Sequence, residues 1–430
     1  MLRSEHDSPR AQRLRPALRW AQLVPALRRP AFRTLWIGWT VSYAGDALQL
    51  LAQTWLIAVL TGSALAVAGS PVFATLPLLL LPLGGVVSDA CDRRRLLLGA
   101  QLAGAASTAV VAALVGLHRI TVWEIYAWAF LAGTLRAVAR PAYKVLLTEV
   151  VPAAEARSAL ALASMSETAS LVLMTGAGGL LLSAVGLTTA FVVNAGSYVV
   201  GAWTLWRLGG AALELVPPPV RLSVRTAAAD LAAGFRYLRG HRALLHPLVL
   251  TFAFLFATSP LITLLAAVVH AQGKSLVDLG ILGAATSLGT FGGAAYAGAH
   301  LEAGAATFRY AWQGVAGACA LAVFALAPVG WASLAPLVLV GWIFGTQTVW
   351  NASRVAELGS AVYQGRLQAI TTMVLALGNG LAALWAGPVL DAFGVRGLLG
   401  AAAALAVLSL AAVATLAQRR RVVEVSGSSP

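Results

Sequence analysis

Gly84-Gly85-Val86-Val87-Ser88-Asp89-Ala90-Cys91-Asp92-Arg93-Arg94-Arg95 is the densest knot of charge in an otherwise oily chain. Apolar runs flank it at 67–87 and 96–117, each about long enough to cross a bilayer. Three arginines between two such spans cannot enter hydrocarbon, so the stretch reads as a tight cytoplasmic turn. Asp89 is at the C-terminal end of its helix, where the dipole already concentrates negative charge at a cost of about 0.3–1 kcal/mol. A partner for it is expected elsewhere in the fold.

The composition excludes a soluble domain. Of 430 residues, 59% are hydrophobic and 11% charged, and the mean hydropathy is +0.81. Such a chain in water would expose far too much apolar surface, so the class is a polytopic membrane protein. Twelve spans are expected, near 34–60, 64–87, 96–117, 121–140, 159–184, 188–207, 245–269, 277–300, 308–328, 331–352, 365–390 and 397–417. With both termini inside, every one of the 30 basic residues except Arg119, Lys274 and Arg396 falls on the cytoplasmic side. That bias accounts for the net charge of +14 as topology, not as nucleic-acid binding. Residues 1–33 are arginine-rich and lack the apolar core of a cleavable signal. Only Lys144 and Lys274 are lysines, a bias that suggests a GC-rich bacterial genome.

Gly85, Asp89, Arg93, Arg94 and Arg95 resemble the loop between helices two and three of the major facilitator superfamily, written G-x-x-x-D-R-x-G-R-R. Asp92, where many members carry glycine, and the approach Arg28-Arg29-Pro30-Ala31-Phe32-Arg33 are similar to the bacterial efflux branch containing enterobactin and macrolide exporters. Two departures stand out. Ala90 replaces the arginine that usually follows the first aspartate, and Met174-Thr175 replaces the glycine-proline pair that exporters often carry before Gly178-Gly179. The resemblance covers roughly residues 28–418. It implies an all-α fold of twelve transmembrane helices in two six-helix pseudo-repeats, and a conformational latch of Gly85, Asp89 and Arg93–Arg95 meeting the start of span eleven near Arg366.

The second half echoes the first. Gly85 and Asp89 match Gly298 and Glu302, Arg157 matches Arg366, and Gly178 matches Gly387, all at nearly one offset. The divisions are a basic tail (1–33), a six-helix bundle (34–207), a central connection (208–244), a second bundle (245–418) and a C-terminal tail (419–430). In the connection, Pro217-Pro218-Pro219 precedes Val224, Ala228, Leu231, Phe235 and Leu238 at helical spacing, flanked by arginines. That pattern predicts an interfacial amphipathic helix.

Ser42, Asp46, Gln49 and Gln53 make a polar stripe on span one. A carboxylate at mid-span costs about 2.5–3.5 kcal/mol on insertion scales, so Asp46 should face water or be protonated. It is the candidate coupling group. Glu167, Gln313, Gln347, Asn351 and Asn379 complete the expected cavity set, while Arg136 is expected to snorkel to the cytoplasmic face. No Walker sequence, metal-ligand spacing or hydrolase signature occurs, so no cofactor, metal or enzymatic role is expected. The reading is a proton-coupled exporter of an amphipathic small molecule, monomeric, in the bacterial cytoplasmic membrane. An importer or facilitator is the alternative within transport, and a non-transporting membrane sensor or assembly protein the alternative outside it.

Overall fold

Local capping chemistry sets several helix starts. The computed structural model describes residues 25–77, 92–209, 224–300, 306–326, 330–358 and 363–426, and among these no strand occurs. α1 (Pro30–Thr61) opens with proline in its first turn and closes on Gly62, whose φ of 59° lets its N–H reach the Ala58 carbonyl. α2 (Ala64–Thr75) begins at Ser63, whose hydroxyl accepts the Ala66 N–H. Asp92 caps α3 (Arg93–Gly116) by accepting the Arg95 N–H at 3.1 Å. Thr121 and Glu124 form a reciprocal capping box on α4 (Val122–Glu149).

α5 (Ala156–Val185) and α6 (Leu187–Arg207) complete the first half. α7 (Val224–Gly240) is the helix between the halves. The second half holds α8 (Arg242–Thr263), α9 (Leu265–Ala271), α10 (Leu276–Ala299), α11 (Ala306–Leu326), α12 (Leu334–Leu358) and α13 (Gln364–Ser426). α8 and α9 form one broken span, and Gly394, at φ 67°, divides α13 into two. Among the described residues, seven helices are long and apolar enough to cross a membrane by length and composition. α4 is not one of them, because charges sit along it.

Within the halves α1 and α3 pack on α6, and α10 packs on α12. Across them, α5 meets α10, α2 meets α13, and α9 meets α1 and α2. The largest apolar core lies at the end away from the arginine-rich one and draws on both halves: Ile57, Val67, Ile125 and Phe191 join Leu261, Val268, Phe324 and Ala386. At the basic end the cores are separate. Phe32, Leu97, Tyr143 and Leu146 belong to the first half, while Leu238, Leu248, Val355 and Ile370 belong to the second together with α7. Among the described residues, the halves therefore share a core at one end and have separate cores at the other.

α7 lies against the basic end of the second half. Leu238 is buried there, Tyr237 stacks on Tyr363 with centroids 4.4 Å apart, and Gly234 abuts Arg366 and Ile370. At the opposite end, Gly179 and Gly280 touch backbone to backbone, since a Cβ on Gly179 would come within 2.5 Å of the Gly280 Cα. Beside them the Thr175 and Ser287 hydroxyls share a hydrogen bond of 2.5 Å. Asp391, at the end of span eleven, accepts the Ser63 hydroxyl at 2.7 Å, the Ala64 N–H at 2.7 Å and the Leu65 N–H at 3.1 Å. A carboxylate from one half thus caps a helix of the other.

Candidate functional site

The site forms where α1, α4 and α6 converge. Gly45 lets α1 approach α6 closely, since a Cβ there would strike Asn194 and Ser197. That approach brings Asp46 to α6, where its Oδ1 accepts the Tyr198 hydroxyl at 2.6 Å and the Asn194 Nδ2 at 3.2 Å. The Asn194 amide is held in turn by Ser197, whose hydroxyl donates to Asn194 Oδ1 at 2.9 Å. Oδ2 of Asp46 has no hydrogen bond among the described residues. One carboxylate oxygen is fixed and the other is open.

α4 supplies the opposing charge. Arg136, Arg140 and Lys144 recur every four residues along one face. Arg136 is fourteen residues from the start of a 28-residue helix, about 21 Å along it. In place of snorkelling, it stays inside the bundle within the fields of Asp46, Tyr198 and Tyr43. Its side chain opens into the interior, where two cavities of about 60 and 90 Å³ meet at Tyr43, Asp46, Ala132 and Arg136. Arg140 pairs with Glu167 of α5 at 2.8 Å, and Glu167 also accepts the Trp39 indole N–H at 3.3 Å.

The cavity of about 90 Å³ adjoins a larger chamber of about 390 Å³ between the halves. Its wall is mainly apolar, with Leu50, Leu171, Phe254, Ile262, Val340 and Phe344, but nine serines and threonines, Thr258, Ser259 and Ser287 among them, also line it, and Asn379 is the one amide among the described residues there. The other amides expected to line a cavity are used between helices. Gln49 is buried and accepts Asn194 Nδ2 at 2.5 Å. Gln313 donates to Thr346 at 2.7 Å, and Asn351 donates to Thr251 at 2.7 Å. Gln347 is buried. Gln53 does both, lining the cavity near Asp46 and donating to Ser70 at 2.5 Å.

Gly85 and Asp89 lie outside the described residues, as do Ala90, Cys91 and Glu302. The arginines beside them stay within the first half. Arg93 pairs with Glu149 at 2.6 Å, Arg94 donates to the Leu205 and Trp206 carbonyls at the end of α6, and Arg95 lies 3.5 Å from Asp92. Arg366 is 5.2 Å from the centre of the Tyr363 ring. Asn194, Tyr198, Arg136 and Asp391 were not among the expected site residues. Three of these had a readable signal: Arg136 in the four-residue spacing on α4, and Asn194 and Tyr198 in the polar triplet with Ser197 on one face of α6.

A bundle of two six-helix halves around a central chamber, with Asp46 and Arg136 facing interior cavities of the first half, defines a membrane transporter of the major facilitator class. The sequence matches the transmembrane secretion effector family over residues 21–428, and the chain belongs to that family. A relative, the uncharacterized MFS-type transporter YfiS of Bacillus subtilis (strain 168), is 26% identical over 196 residues, 42% of this chain and 44% of YfiS. The match therefore spans less than half of that relative. In fold, the chain is similar to the nucleoside transporter NupG (TM-score 0.71, 12% identity, covering 90% of this chain and 98% of that one). It is similar also to a bacterial homolog of the human lysosomal transporter Spinster in an inward-facing, unoccupied conformation (TM-score 0.64, 16% identity, 90% and 94%). The D-xylose-proton symporter gives 0.66 at 14% identity, covering 89% and 96%.

Proposed function

We propose that this transporter exports an amphipathic small molecule across the bacterial cytoplasmic membrane in exchange for protons, by alternating access. The observation that carries the reading is Asp46: a half-buried carboxylate, tied by one oxygen to α6 and open by the other to the interior beside Arg136. Ionised, it is attracted to Arg136. Protonated, it releases that attraction, so proton binding and the charge state of the cavity are linked. The joined end is the outer one on this reading, and the form described is inward-facing. The arginine-rich end then faces the cytoplasm, in keeping with the basic bias of the loops.

In inverted vesicles, a pH gradient should drive accumulation of cargo, and Asp46→Asn should abolish that accumulation while leaving exchange partly intact. Wild-type accumulation by the variant would remove Asp46 from coupling. Equilibration that ignores the gradient would identify a facilitator. Orientation is tested separately: in a Cys319→Ala background, Cys91 should react with an impermeant maleimide only from the cytoplasmic side.

A further inference from the structure

We infer that Arg136 is an anion-binding centre, and that the cargo is an amphipathic anion with one carboxylate-like head and an apolar body. The inference rests on the transport reading and narrows its substrate. Arg136 projects from the middle of α4 into the interior, yet it makes no salt bridge and no hydrogen bond with any described residue. Of the two acids around it, one is committed to another arginine and the other is committed by a single oxygen. Glu167 holds Arg140 at 2.8 Å, and Asp46 gives Oδ1 to Tyr198 and Asn194.

The cavity lining carries Arg136 and Arg140 against Asp46, and Glu167, behind the lining, pairs with Arg140. A guanidinium at mid-span is costly without a partner, and its planar fork matches a carboxylate, sulfonate or phosphate oxygen pair. A cationic cargo at Asp46 would have to sit beside the Arg136 guanidinium. An anion meets it with the complementary sign.

The space beyond fits the rest of such a molecule. Ala47, Leu50, Pro71 and Leu171 line both the cavity holding Arg136 and the mainly apolar chamber of about 390 Å³. A head group at Arg136 therefore leaves its body a continuous apolar path into the chamber, a size usual for small-molecule sites. One end of the site supplies charge, the other supplies burial.

The test uses the purified full-length protein in nanodiscs and three probes with one shared apolar body: naphthalene-1-acetate, naphthalene-1-acetamide and 2-(1-naphthyl)ethylammonium. Binding is read by equilibrium dialysis against empty nanodiscs. The acetate should bind about tenfold more tightly than the amide, the margin of a charge-assisted hydrogen bond. Arg136→Gln should reduce the acetate to the amide's affinity while leaving the amide unchanged, a result that also shows the variant is folded. Arg136→Lys should keep part of the preference. Tighter binding of the ammonium, no binding of any probe, or an unchanged acetate preference in Arg136→Gln would overturn the site. Absence of an acetate preference in the wild-type protein alongside intact pH-driven accumulation would sink this inference alone. Intact preference without gradient-driven transport would sink only the coupling mechanism.

Discussion

Two helix starts occupy equivalent places in the two halves and are capped in different ways. α10 begins at Ser275, and its own Asp278 reaches back to the Ser275 N–H at 2.9 Å and the Ser275 hydroxyl at 2.6 Å. α2 begins at Ser63, but the third helical position is Ala66, and the missing carboxylate comes from Asp391 in the other half. The first cap is complete in any arrangement of the halves. The second exists only while α2 and span eleven are together at the joined end. Identical backbone chemistry is thus a fixed feature in one half and a state-dependent tie in the other.

The largest effect should come from Asp391→Ala. It removes three hydrogen bonds to a carboxylate across the interface, and because Asp391 is solvent-accessible the loss is at the low end for charged groups, about 1.5 kcal/mol. The balance between joined and separated outer ends should shift about tenfold. Spin labels at the exposed Leu117 and Trp331 would report it as a longer distance population. Ala66→Asp should act in the same direction by only a few-fold, since it gives α2 a cap of its own and makes Asp391 redundant without removing it. Unchanged distances in both variants would reduce the contact to decoration.

Asp278→Ala sharpens the comparison from the other side. It should lower thermal stability by about 1 kcal/mol, as loss of a helix cap does, and leave the same spin-label distances where they are. The smallest effect is expected at Arg29 and Glu155, a pair within the first half at 2.8 Å. The Arg29 hydrogen bond holds the Glu155 carboxyl below the usual carboxylate range. Its contribution is therefore present at neutral pH and lost as pH falls through that lowered value. Arg29→Gln should cost a little melting temperature at pH 7 and nothing measurable in strong acid.

The fold was legible because hydrophobic runs and basic turns are local signals. Both report on single segments, and most helices fall close to the expected spans, with α4 and α12 running further toward the basic end. Asp46 could be singled out for the same reason, since a carboxylate in an apolar run is conspicuous by itself. Asp92 was read as a family marker, and its local work is to cap α3. What could not be read is convergence. That Glu167 takes Arg140 and leaves Arg136 without an ion pair depends on three helices meeting. That position 66 carries no carboxylate is visible in the chain, but that Asp391 supplies one depends on a contact between residues more than three hundred positions apart.

The glycine seam between α5 and α10 sets a further condition on the cycle. Gly179 meets the Gly280 Cα and N and the Leu276 carbonyl, all of them backbone. At Gly179 itself the contact is backbone on backbone, with the Thr175–Ser287 hydrogen bond beside it, so sliding one helix past the other breaks that bond but withdraws no large side chain at this point. Mechanically the contact is a bearing: it sets friction, whereas Asp391 sets the resting position. A single methyl at Gly179 would have no flexible neighbour to displace, and would act on the speed of exchange between states as a grain of grit acts on a hinge.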